Sequence, residues 1–68
     1  MHQAESTEHA VVLEAAVDAR NAPDGDKVLF QAHEGTTFRV RQRHDEWWLV
    51  SLPNGVSGWV RGNALGII

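Results

Sequence analysis

Residues 46–65, EWWLVSLPNGVSGWVRGNAL, hold all three tryptophans of the chain, its plainest turn, and two strands whose register follows from the letters. A two-residue Asn54-Gly55 loop would pair Pro53 with Val56 and put Val50 and Trp59 on one face. A three-residue Pro53-Asn54-Gly55 loop instead pairs Leu52 with Val56. Pro suits the first central position of a type I turn, Asn the second, and Gly the left-handed bulge position that follows. That loop gathers Trp48, Val50, Leu52, Val56, Gly58 and Val60 on one face, and Trp47, Leu49, Ser51, Ser57, Trp59 and Arg61 on the other. The first set is uniformly apolar and the second is mixed, as selection of register by burial requires. The three-residue loop is therefore expected, with Trp48 packing in the core and Trp47 and Trp59 on the opposite face.

Working outward, Arg61 to Ala64 suits one tight helical turn, and Leu65 to Ile68 a closing strand. Upstream, Thr37 to Arg43 is the cleanest amphipathic strand, with Phe38 and Val40 inward and Arg39, Arg41 and Arg43 expected to point together the other way. His44-Asp45-Glu46 and Glu34-Gly35-Thr36 are turns. Lys27 to Ala32 alternates, with Val28, Phe30 and Ala32 on one face. Asn21 to Asp26 is a loop by composition, since Pro fixes φ, Gly allows positive φ and Asp bonds its own backbone. Val11 to Leu13 and Val17 to Arg20 read as further short strands. Helical periodicity is nearly absent, so the expected fold is all-β: a small barrel of five to six short strands, with one short 3-10 turn before the last. The barrel domain is expected over 10–68. The polar opening MHQAESTEH, 1–9, is expected to be a disordered lead or linker end, and the chain a domain cut from a larger protein.

At 68 residues the chain sits near the lower limit for a self-sufficient core, burying only ~60% of the surface its unfolded form exposes. Without cysteine it has no disulfide or thiolate zinc site, and Trp, Phe, Val and Leu must hold it together. The net charge of −3 argues against non-specific binding to nucleic acid or anionic lipid. No apolar run approaches the ~20 residues of a membrane span, so direct membrane insertion is not expected.

Five short patterns then carry a resemblance. V-x-A-R-x-x-P (Val17, Ala19, Arg20, Pro23), HEGT (His33 to Thr36), the pair Trp47-Trp48, Asn54-Gly55 and GWV (Gly58 to Val60) occur in the order and spacing of bacterial SH3-like (SH3b) domains. The likeness runs from about Ala10 to Ile68, and implies a barrel of five to six strands. The HEGT and WW segment further resembles SH3b domains at the C-terminal end of bacterial tetratricopeptide-repeat envelope proteins, which implies an envelope location. The chain departs from the family at Asp18, where Asn is frequent, and at Asn21-Ala22, where Ser-Gly is frequent. Compared with eukaryotic SH3 domains it has no tyrosine, and Arg61 and Ala64 stand where those have Pro and Tyr. A proline-helix ligand needs stacked aromatic ridges, so PxxP peptides are not the expected ligand.

Catalytic, metal and cofactor chemistry find little support. No Ser-His-Asp or Cys-His set can be placed, and there is no nucleophile elbow. His2 and His9 fall in the expected lead, and His33 and His44 sit at turns without metal-ligand spacing. Asp24, Gly25 and Asp26 lack the downstream bidentate Glu of a calcium loop. The aromatic face is the better candidate. Trp47 and Trp59, with Leu49 between them and Arg61 adjacent, form an expected contact patch. Asp45 and Glu46 next to Trp47, with Asp18 and Asp24, are expected to give it an acidic rim selecting cationic or amine-bearing ligands. Alternatively, Trp59 covers the barrel end or packs under the Asn21 to Lys27 loop, and the acids are solvated turn residues. The expected function is a non-catalytic binding module, monomeric as an isolated domain, docking an extended peptide or protein segment in an envelope assembly. Recognition of a peptidoglycan stem peptide, on behalf of a cell-wall hydrolase, is the competing expectation.

Overall fold

The computed structural model describes residues 8–68. Seven strands follow in order: β1 (His9–Val12), β2 (Ala16–Arg20), β3 (Val28–His33), β4 (Thr37–His44), β5 (Trp47–Ser51), β6 (Ser57–Arg61) and, after a single 3-10 turn at Gly62–Ala64, β7 (Leu65–Ile67). They form one antiparallel sheet in the order β3-β2-β6-β5-β4-β1-β7. The count is seven, against an expected five to six, because the short β1 pairs on both sides, with β4 and with β7. Most of the 1–9 lead lies outside the described residues. Its last two residues belong to the fold: His9 opens β1, and the Glu8 carbonyl accepts a hydrogen bond from the Val40 N–H.

The sheet folds over on itself because its connections are stapled by backbone hydrogen bonds. The Glu34 N–H donates to the Ala15 carbonyl, and the Gly35 N–H to that of Val12. These tie the β1–β2 connection to the β3–β4 turn. The Leu13 N–H donates to the Ala64 carbonyl, anchoring the 3-10 turn to the end of β1. The enclosed core is made by Ala10, Val12, Ala19, Ala32, Phe38, Val40, Val50, Val60 and Leu65, with Phe30, Trp48 and Leu52 packed against it. Phe38, Val12, Val50 and Val60 are the largest fully buried side chains, each worth roughly 1.5–3 kcal/mol of burial. Alanine and glycine let the layers approach. A Cβ on Gly58 would lie 2.8 Å from the Cβ of Ala19 and 3.3 Å from the Phe30 ring.

The central hairpin has the expected register. Ser51 pairs with Ser57, Val50 with Gly58, Leu49 with Trp59, Trp48 with Val60 and Trp47 with Arg61. The Leu52 N–H donates to the Val56 carbonyl, the Gly55 N–H to that of Leu52, and Gly55 has φ +95°. Val56 alone leaves the apolar set, 43% exposed where the ladder runs out at the turn.

The three arginines of β4 do not share a face. Arg39 pairs with Ser51 and Val40 with Val50, but Gln42 pairs with Leu49, so Arg41 is an inserted bulge residue. One extra residue shifts every later side chain to the opposite face. Arg43 therefore stands opposite Trp48, with its guanidinium 4.5 Å from that ring's centroid. It also pairs with the Glu8 carboxylate.

Candidate ligand-binding site

Trp47 is the second large aromatic anchor, and it lies apart from the core. It is only 6% exposed yet is not a member of the contiguous core cluster. The expected position on an open face is thus corrected: the parity is right, but the face is covered at this end. The Gly62 N–H donates to the Glu46 carbonyl, which brings the 3-10 turn alongside the indole. The Arg61 guanidinium lies 5.2 Å from its ring centroid, close enough for a cation–π contact. The indole Nε1 is buried and has no hydrogen-bond partner among the described residues.

Two shallow clefts meet at this indole. One, of about 350 Å³, has Asp18, Arg20, Arg61, Asn63 and Ala64 among its lining residues, with Trp47. The other, of about 310 Å³, is lined by Pro23, Asp24, His44, Asp45, Glu46 and Trp47. The second is acidic, carrying three carboxylates. Asp24 and Asp45 both sit in this cleft with positive φ, 59° and 54°. Asp tolerates that conformation better than most residues because its short side chain bonds locally. Among the described residues they are the only non-glycine positions that adopt it, and such positions gather at ligand clamps and switch regions.

Side-chain contacts fix the rim. Arg61 Nη1 is 3.4 Å from Glu46 Oε2, and His44 Nε2 is 3.7 Å from Asp45 Oδ2. Asp18 accepts a hydrogen bond from Gln31 Nε2 at 3.0 Å and lies 3.7 Å from Arg20 Nη2. Arg20 also donates to the Gly25 carbonyl at 3.1 Å, which ties the Asn21 to Lys27 loop to β2. Exposed pairs of this kind contribute about 0–1 kcal/mol each, so they hold orientation more than stability.

The fold thus brings Trp47, Arg61, Asp18, Asp45 and Glu46 together around one indole. It leaves Trp59 and Leu49 out of both clefts. Those two face each other across β5 and β6, half-buried, with Trp59 also opposite Arg20 of β2. The residue that shares a cleft wall with the 21–27 loop is Trp47, not Trp59. Arg20, Pro23 and Asn63 are site residues that the sequence reading did not single out as such. Arg20 and Pro23 were visible as fixed points of V-x-A-R-x-x-P, but nothing in their spacing shows that the loop folds back toward Trp47. Trp48 packs as expected, between Arg43 and Gly62, where an added Cβ would lie 2.5 Å from the indole ring.

Compared with known families, the chain matches the model of the bacterial SH3 domain over residues 14–65, from the middle of the β1–β2 connection to the first residue of β7. No curated protein and no solved structure matched it. The match takes in six of the seven strands at least in part, the whole Trp47 site and the 3-10 turn. On that span the chain belongs to the bacterial SH3 domain family.

Proposed function

We propose that this domain is a non-catalytic binding module that docks an extended peptide segment across the paired clefts at Trp47. The orphaned Trp47 Nε1–H carries this reading. A buried donor without a partner costs about 1–3 kcal/mol, and a peptide carbonyl that displaces the rim side chains covering it removes that cost on binding. Asp24, Asp45 and Glu46 favour a peptide with a lysine or arginine side chain, or a free amine, beside that carbonyl. One indole contributes roughly 1.5–3 kcal/mol by burial, so affinity is weak unless the module is tethered beside its partner.

The likeness to SH3b domains that follow tetratricopeptide repeats, and the net charge of −3, favour a protein partner in the bacterial envelope over the anionic wall. Sedimentation of the chain with purified peptidoglycan, beside binding to an immobilised lysine-containing peptide, separates the two. Retention by the peptide, lost in Trp47→Ala, is the expected result. Sedimentation with the wall, also lost in Trp47→Ala and without peptide binding, would replace the protein partner with a stem peptide.

A further inference from the structure

We propose a second binding site at the opposite end of the β5–β6 hairpin, a basic cleft that takes an extended acidic peptide segment. The cleft has a volume of about 430 Å³, within the ~300–1,000 Å³ range of ligand pockets. Arg39, Arg41 and His9 line it together with Ser51, Ser57 and Leu52, and no carboxylate does among the described residues. In a chain of net charge −3 this is a local reversal of sign. The Trp47 clefts, by contrast, carry Glu14, Asp18, Asp24, Asp45 and Glu46 against Arg20 and Arg61.

Register explains why the donors converge. Arg39 pairs with Ser51, and Ser51 with Ser57, so a guanidinium and two hydroxyls form one row across three strands. Neighbouring strands are about 4.8 Å apart, a spacing that lets a carboxylate bridge two members of the row. Ser51 is the buried polar side chain among the described residues, 8% exposed. The planar guanidinium fork matches a carboxylate in two parallel hydrogen bonds. Arg41 adds a second, independent observation. It is the inserted residue of the β4 bulge, it is exposed, and it makes no ion pair or hydrogen bond among the described residues. Bulges re-aim side chains beside sites. Phe38, Leu52 and Pro53 supply apolar wall for the aliphatic part of a peptide.

Charge complementarity selects an acidic peptide as the occupant. Two arginines in a short cleft meet one or two carboxylates, whereas a nucleic acid backbone would run on past them over an acidic surface. Trp47 and Ser51 stand at opposite ends of β5, about 13 Å apart at ~3.3 Å per residue. The site therefore stands or falls independently of the Trp47 reading.

The test is an NMR titration of the ¹⁵N-labelled 68-residue chain with an octapeptide alternating glutamate and leucine. A lysine-for-glutamate peptide and a single-stranded oligonucleotide serve as comparison ligands. Amide shifts should concentrate on Thr37, Arg39, Ser51 and Ser57. Affinity for the acidic peptide should fall about tenfold in Arg41→Glu, less in Arg41→Gln, and again on raising salt from about 0.05 to 0.3 M. Arg41 is exposed and makes no ion pair or hydrogen bond among the described residues, so both variants should keep the spectrum of the folded domain. Equal affinity for the lysine peptide, tighter binding of the oligonucleotide, or shifts centred on Trp47 would overturn the proposal. So would the same shifts appearing with protein concentration alone, which would make the occupant a second copy of the chain.

Discussion

At the scale of single residues, three tryptophans within thirteen positions do three different jobs. Trp48 lies half-buried on the core side, held between Arg43 and Gly62. Trp59 and Leu49 cover each other across strands. Trp47 is walled in by the 3-10 turn and Arg61, with its N–H unpaired. Strand parity was enough to separate Trp48 from the other two. It could not tell Trp47 from Trp59, because parity reports the side of a sheet and not what lies over it. The cover on Trp47 comes from residues 14 or more positions away along the chain, and no local pattern encodes it. Gly62→Ala is expected to destabilise the fold by about 1–3 kcal/mol, the usual range for overpacking, since its Cβ would sit 2.5 Å from the Trp48 ring. Urea denaturation followed by tryptophan fluorescence measures this, and an unchanged midpoint would place Trp48 elsewhere.

At the scale of elements, the hairpin was legible because turn chemistry and apolar alternation agreed on one register. Its two glycines then make contrasting expectations. Gly55 has φ +95° with open space around its α-carbon, so Gly55→Ala should cost only the left-handed penalty of roughly 1–2 kcal/mol. Gly58→Ala faces a packed wall, with the Ala19 Cβ at 2.8 Å, and should lower thermal stability further than Gly55→Ala. The reverse order in paired melting curves would contradict the packing. The bulge in β4 was not legible, because R-V-R-Q-R alternates as cleanly as a regular strand does. Its presence is checked by deleting Arg41. Removing the inserted residue leaves Gln42 opposite Leu49 and Arg43 opposite Trp48, so the variant should fold with the Arg43–Trp48 contact intact, whereas deletion from a regular strand would flip both side chains and unfold the domain.

At the scale of the whole molecule, a chain this small has roughly 3–10 kcal/mol of stability at ~0.05–0.15 kcal/mol per residue. Phe38 is among its largest fully buried side chains. Phe38→Ala, at about 3–5 kcal/mol, is expected to leave much of the population unfolded at room temperature, as read by loss of amide dispersion. The all-β class and the sequence of strands and turns followed from composition and punctuation. The distribution of charge did not, since it depends on which strands become neighbours: the Trp47 clefts hold five carboxylates against Arg20 and Arg61, while the cleft at the Pro53 turn holds Arg39 and Arg41 and, among the described residues, no carboxylate. A partner lying along β5 and β6 would meet opposite charge at its two ends.

The central claim is that the buried Trp47 N–H awaits a carbonyl from a peptide. It is tested most directly by following the three indole N–H resonances during titration with an extended lysine-containing octapeptide, in the natural chain and in Trp47→Phe. The Trp47 resonance should shift downfield and saturate while those of Trp48 and Trp59 hold. Trp47→Phe should bind at least several-fold more weakly, yet keep stability within about 1 kcal/mol, because it removes an unsatisfied donor along with some ring area. A Trp47 resonance that stays in place as the peptide saturates, or full affinity in Trp47→Phe, would contradict the account.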